Sequence, residues 1–335
     1  MAKLHGRITD KQYDIKIDVK DTKILSILAE NSRLPASEIA KKVQLSRDAV
    51  AYRIKRLQEE EVILSFSPVI NFAAVGYSEF HVFFLLDENN RVEQQELITY
   101  LVQHNHTRSV MKYTDTWDLE WVLIARNLNE FEQIVTDVAT RFHHVVLEKD
   151  QLAVIEKYFS HTYPQQYTHP PTPTEPASLD DTDRSLLTLL AQDCRQSSYE
   201  LGKALHMSPD AALYRIKKLM STGVITRFTT LINLSALKNS WYTYAIRFRK
   251  FDQKDQATFL EFARSQHQVI RATKLFGPWQ AMLSIVASSP ESYHKIVKET
   301  KNAFAHIIFK YQTWLAHEEL CYVAVPKVLL LKQKK

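Results

Sequence analysis

The residues best suited to chemistry lie in one short stretch that occurs twice. Leu45-Ser46-Arg47-Asp48-Ala49-Val50-Ala51-Tyr52-Arg53-Ile54-Lys55-Arg56-Leu57 returns, little changed, as Met207-Ser208-Pro209-Asp210-Ala211-Ala212-Leu213-Tyr214-Arg215-Ile216-Lys217-Lys218-Leu219. Val50, Ile54 and Leu57 recur at helical spacing and make one apolar stripe. Asp48, Ala51, Tyr52, Lys55 and Arg56 project away from it. A helix held by one apolar side, with small, aromatic and basic residues opposite, suits insertion into the major groove of DNA. The plain alternative is a solvated amphipathic helix with ordinary surface lysines. Ser46 and Ser208 stand just ahead of the runs, where a hydroxyl accepts from the first free backbone N–H groups. Pro209 takes the first helical position, which suits its fixed φ.

Other chemistry has less to work with. The histidines are scattered, and only His144 and His306 recur between the copies; their place after a helix suggests caps on carbonyls. No metal-ligand spacing and no nucleophile elbow is found, and the five glycines assemble no phosphate loop. Cys194 and Cys321 stand far apart, which points to a reducing, cytoplasmic setting without zinc or disulfides. No catalytic residue, metal or cofactor is therefore assigned. A net charge of +5 permits a nucleic-acid partner without demanding one. The polar start, Met1 to Val19, is no signal peptide, and apolar runs such as 82–86 are too short to span a bilayer, so no membrane partner is expected.

The elements that must position these helices also come in pairs. An offset of 162 positions superposes Asp18 on Asp180, Leu25 on Leu187, Tyr52 on Tyr214, Trp117 on Trp279 and Glu156 on Glu318. Chance does not keep register that long. Each half reads as three helices and the first strand of a small wing, followed by strands and helices in the order βαββαβ. Strands are expected near 79–86, 107–114, 117–125 and 145–158, with helices near 91–103 and 129–142; the second half repeats the pattern. Leu119, Trp121 and Leu123 alternate with Asp118 and Glu120, as a half-buried strand would. The fold class is α+β: two winged helix-turn-helix domains, each followed by a ferredoxin-like plait. The boundaries read as 15–70 and 71–162, a proline-rich linker at 163–178, then 179–232 and 233–327. Apolar residues left over on the sheets, including Phe83, Tyr244, Phe248 and Trp314, call for a second plait to pack there.

Ile17-Asp18-x-x-Asp21-x-x-Ile24-Leu25 and Leu179-Asp180-x-x-Asp183-x-x-Leu186-Leu187, each followed by the serine-led helix, resemble the Lrp/AsnC (feast/famine) transcription regulators. The resemblance covers nearly the whole chain, taken twice, so the chain resembles a covalent pseudo-dimer. It implies a cytoplasmic regulator that binds double-stranded DNA, forms homo-oligomers through its plait sheets and can take an amino acid or other small effector. Carried over by position, the DNA-facing candidates are Ser46, Arg47, Tyr52, Arg53, Lys55 and Arg56, with Ser208, Tyr214, Arg215, Lys217 and Lys218 in the second copy. Arg53 and Arg215 lie close to the apolar stripe, where an ion pair is the alternative to a phosphate contact. The effector loop implied by the family is split here: Asp115, Trp117 and Asp118 in one copy, Gly277 and Trp279 in the other. Both tryptophans also suit a core or interface anchor. Glu61 stands where the family has the glycine that the second copy keeps as Gly223. Sirohaem decarboxylases resemble the same architecture and work as paired subunits, which makes tetrapyrrole decarboxylation the alternative function.

Overall fold

The computed structural model describes residues 6–165 and 177–331, so most of the 163–178 linker, including Pro170, Pro171, Pro173 and Pro176, lies outside the described residues. The first half runs α1 (Val19–Glu30), α2 (Ala36–Val43), α3 (Arg47–Glu59), β1 (Ile63–Ile70), β2 (Ser78–Leu86), α4 (Arg91–Gln103), β3 (Thr107–Tyr113), β4 (Leu119–Ala125), α5 (Leu128–Arg141) and β5 (Val146–Ser160). The second runs α6 (Asp181–Gln192), α7 (Ser198–Ala204), α8 (Pro209–Ser221), β6 (Ile225–Ile232), β7 (Ser240–Phe248), α9 (Gln253–Ser265), β8 (Val269–Phe276), β9 (Ala281–Ala287), α10 (Pro290–Phe304) and β10 (Ile308–Tyr322), with a short α11 (Lys327–Leu330) after it. Two helix-turn-helix units, each followed by a βαββαβ plait, are therefore present.

The wing differs from the sequence expectation. Instead of opening a wing within its own unit, β1 pairs antiparallel with β6 across the halves, Phe66 opposite Thr230. Ser32 donates its N–H to Phe228 O and Cys194 does the same to Phe66 O, both at 3.0 Å. These two bonds are equivalent under the 162-residue offset. One apolar core, running from Leu25, Leu28 and Leu57 to Leu187, Leu190 and Leu219, serves both helix-turn-helix units.

The plaits join edge to edge as well as face to face. The strand order β10-β3-β4-β2-β5-β8-β9-β7 closes on itself into an eight-stranded barrel, with the long β5 pairing β8 and the long β10 pairing β3. A shared core between the sheets holds Phe83, Trp117, Trp241, Trp279 and Trp314. Tyr244 and Phe248, expected on that face, instead pack beneath α9 and α10. The half-buried reading of β4 also fails: every residue from Leu119 to Ala125 is buried. Glu120 survives there because His81 Nδ1 lies 2.6 Å from its Oε1 and Tyr113 donates to its Oε2 at 2.7 Å. Both sheet faces, the surfaces expected to join separate chains, are thus covered within one.

Candidate nucleic-acid interface

Each reading helix is set up by the same local chemistry. Asp18 caps α1 and Asp180 caps α6, both in capping boxes with Asp21 and Asp183. α7 opens on the Ser197–Glu200 capping box, while α2 starts after Pro35 with no side-chain cap. The tight turn into the reading helix passes through left-handed Gln44 (φ 55°) and His206 (φ 54°). Ser46 Oγ then accepts the Ala49 N–H and Ser208 Oγ the Ala211 N–H, each at 3.1 Å. Both serines are engaged as caps, each with its own hydroxyl proton left to donate. Val50, Ile54 and Leu57 are buried, as are Ala212, Ile216 and Leu219, which turns the opposite faces outward.

The structure divides the basic candidates in two. Arg53 Nη1 lies 2.7 Å from both Asp18 Oδ2 and Asp21 Oδ1, and Arg56 Nη2 lies 2.6 Å from Asp21 Oδ2. Arg215 Nη1 lies 2.8 Å from Asp180 Oδ2 and Asp183 Oδ1, and Lys218 Nζ lies 3.4 Å from Asp183 Oδ2. Asp21 and Asp183 are fully buried, so these cations neutralise carboxylates that tie α1 to α3 and α6 to α8. The Asp21 amide and the Arg53 guanidinium hold the Asp18 carboxyl below its usual range. Arg53 and Arg215, flagged as possible ion-pair partners, are such partners; Arg56 and Lys218 join them.

The outward remainder is smaller. Arg47 and Lys217 make no ion pair among the described residues, and Lys55 reaches Glu59 only at 3.5 Å across an exposed i,i+4 pair. Tyr52 and Tyr214 are 67% and 69% exposed. Both rings thus stand in solvent on the side of the helix opposite the buried stripe. Leu213, 38% exposed where the first copy has Ala51, joins this face and was not singled out from sequence. Arg33 and Arg195 carry no signal in the sequence either. Arg33 donates to Cys194 O and Arg195 to Ser32 O across the halves, a contact that no local pattern announces.

The effector-loop candidates are not gathered into one site. Asp118 Oδ2 accepts the Leu86 N–H at 2.7 Å, and Gln280 Oε1 accepts the equivalent Phe248 N–H at 2.7 Å. Both extend the sheet. Trp117 and Trp279 are 5% exposed and sit in the shared core, Trp279 with its ring 5.9 Å from Trp314. Gly277 adopts φ 142°, and a Cβ there would meet Gln151 O at 2.8 Å, so backbone crowding accounts for this glycine. Asp115 alone faces a cavity; its Oδ2 accepts the Leu315 N–H at 2.8 Å. The expected histidine cap falls on His143, whose Nδ1 lies 3.0 Å from Thr140 O, rather than on His144. Among the described residues no cluster of three His, Cys, Asp or Glu could hold a metal, and no helix is long and apolar enough to cross a membrane.

Residues 17–58 and 179–220 match the AsnC-type helix-turn-helix domain. The transcriptional regulator AzlB of Bacillus subtilis (strain 168) is 33% identical over 120 residues, 36% of this chain and 76% of that protein. The regulator AldR of Mycobacterium tuberculosis is 28% identical over 146 residues, 43% of this chain and 81% of that one. Among solved structures, the siroheme decarboxylase NirDL superposes with a TM-score of 0.62 over 92% of this chain and 94% of its own, at 16% identity. The same enzyme with an iron-uroporphyrin III analogue gives 0.61 at 15% identity. At that identity the likeness is one of fold.

Proposed function

This chain belongs to the Lrp/AsnC family of transcription regulators, its unit present twice in tandem, and from that premise we propose that it binds DNA sequence-specifically as a covalent pseudo-dimer. The observation that carries the reading is the pair of outward helix faces, Arg47, Tyr52 and Lys55 on α3 with Leu213, Tyr214 and Lys217 on α8, braced by one shared core and one β1–β6 sheet. A rigid pair of this kind presents its two helices at a fixed spacing. The operator should then hold two half-sites about one helical turn apart, or a multiple of that. The half-sites should differ, because Arg47 offers a cation where Pro209 offers none, and Leu213 offers methyl groups where Ala51 offers one.

Lysine and arginine set affinity by releasing counterions; tyrosine and leucine read base edges and thymine methyls. The test is selection of bound sequences from random duplex DNA, followed by retention measured against salt. A bipartite motif with unlike halves and a steep salt slope supports the reading. Retention that ignores salt leaves only a scaffold built from regulator parts.

A second reading follows from the full-length fold match: decarboxylation of a tetrapyrrole, the activity in NirDL's name. Purified protein with a red or green chromophore, or one that binds iron-uroporphyrin III, would favour it. Colourless protein that ignores the tetrapyrrole and retains DNA removes it.

A further inference from the structure

Beneath α10 the second half holds a cavity of about 710 Å³ that the reading helices do not use. It opens between α10 and the start of β10, with Asp115 of the β3–β4 turn at its rim. Tyr242 and Tyr293 stack at 4.0 Å to form one wall. Tyr311, 39% exposed, forms another, and its hydroxyl takes a hydrogen bond from Lys301 Nζ at 3.0 Å. Lys298 stands one helical turn from Lys301 on the same side of α10, so the mouth carries two ammonium groups against the single Asp115 carboxylate, which the Leu315 N–H already engages.

The first half supplies an internal control. At the equivalent positions Phe80 stacks on Phe131 at 4.2 Å, so the wall is kept without its hydroxyls. Thr136 and Ala139 stand in place of the two lysines, and Lys149 in place of Tyr311. Tyr244, where the first half has Val82, adds a buried group behind the wall. Its hydroxyl has no hydrogen-bond partner among the described residues and its ring centroid lies 5.4 Å from that of Tyr311. Burial, with Tyr293 and Tyr311 alongside, pushes the Tyr244 hydroxyl above its ordinary range. Tyr244 lies behind the lining rather than in it, and supports the Tyr311 ring from the buried side. Tyrosine hydroxyls, the two helix lysines and the aromatic mouth thus occur together in the second copy, and the first has none of them at the equivalent positions.

We propose that this cavity binds one aromatic carboxylate per chain, with its ring against Tyr311 and the Tyr242–Tyr293 wall and its carboxylate on Lys298 and Lys301. The chemistry favours an acid without an α-ammonium, because the two lysines outnumber the one carboxylate at the mouth. A pocket of this size, mostly apolar with a few polar groups, suits a small organic ligand. The proposal does not depend on DNA binding, since occupancy is read without DNA.

Isothermal titration of the full chain with 3-phenylpropionate tests it. One saturable site per chain is expected. L-phenylalanine, the same skeleton with an ammonium, and 3-phenylpropanol, which lacks the carboxylate, should each bind about tenfold more weakly or worse. The double variant Lys298→Gln/Lys301→Gln should lose about tenfold or more in affinity with an unchanged melting temperature, because both side chains are exposed. No saturable heat with 3-phenylpropionate, two equal sites per chain, L-phenylalanine bound as tightly as the acid, or full affinity in the lysine variant would each overturn the proposal.

Discussion

In the first half the buried carboxylate Asp21 is held by two arginines, at 2.7 and 2.6 Å; in the second, Asp183 faces one arginine at 2.8 Å and a lysine at 3.4 Å. The same contrast runs along the chain. Groups that brace the two halves against each other are kept in kind, as with Arg33 and Arg195 or the paired bonds from Ser32 and Cys194. Some groups that face outward differ, Arg47 against Pro209, Ala51 against Leu213, Thr136 and Ala139 against Lys298 and Lys301, although Tyr52 and Lys55 recur as Tyr214 and Lys217. A duplicated chain need not preserve two identical contact surfaces, since each half has its own fixed partner in the other. The first copy carries more free charge at the reading helix, and the second carries the basic, tyrosine-lined cavity.

The largest effect should come from that charge. Arg47→Ala with Lys55→Ala should weaken retention on a selected operator by about a hundredfold at 0.1 M salt and lower the salt slope by about 2. Lys217→Ala in the second copy should cost about tenfold or less. Arg56 is left in place because it neutralises Asp21, so that its removal would mix folding with binding. Electrophoretic mobility shifts across a salt series decide the ranking, and a larger loss from the second-copy change would reverse the comparison.

Stability comes next. Asp21→Ala strips two arginines of their shared partner and should cost about 3 kcal/mol, whereas Asp183→Ala, with its weaker lysine contact, should cost about 2 kcal/mol. Urea denaturation measures both, and equal losses would show that the lysine at 3.4 Å serves as well as the arginine. A smaller, pH-gated difference follows from His104, for which the second half has Gln266. Burial and the charge of His106 bring the His104 imidazole down to about 4. The folded protein therefore keeps it neutral while the unfolded chain takes up a proton below about pH 6.5, so stability is lost as pH falls. Between pH 6.5 and 5 the melting temperature of the wild type should drop by more than that of His104→Gln; parallel curves would remove His104 from the account.

How far this asymmetry could be read from sequence depends on the distance over which each contact acts. The 162-residue offset and the strand and helix spans of the first plait are local patterns, and each of those spans appears in the structure within two residues of its place. The reading helices were also legible, because Val50, Ile54 and Leu57 leave only one face to turn outward. What local pattern cannot show is pairing between distant segments. β1 meets β6 across 162 positions, and Glu120, which reads as the solvent side of a strand, lies between two sheets with His81 and Tyr113. Among the basic residues, Arg56 projects outward by helical spacing while Arg53, Arg215 and Lys218 are DNA-facing candidates only by family position, and α1 and α6 bring carboxylates to all four. The cavity beneath α10 was invisible for the same reason, since its tyrosines and lysines come from three separate elements.

The smallest contrast concerns the end of the reading helix, where the two copies differ at one residue. Glu61 adopts φ 58°, and its counterpart Gly223 adopts φ 72°, so both copies leave the helix through the same left-handed step. For glutamate that step costs about 1 kcal/mol or more from the crowding of Cβ against the backbone, while glycine takes it freely. Part of this is returned at Glu61 by Lys11, whose Nζ lies 2.8 Å from Oε2, though the lysine side chain is 61% exposed and such a pair contributes little. Glycine at that place also raises the entropy of the unfolded chain. The balance favours Glu61→Gly by about 0.5 kcal/mol, and Gly223→Ala should cost about 1 kcal/mol, both read from urea midpoints at constant slope. If Glu61→Gly instead destabilises by as much as Gly223→Ala does, the Lys11 contact outweighs the strain, and the first copy has replaced a glycine exit with an ion-paired one.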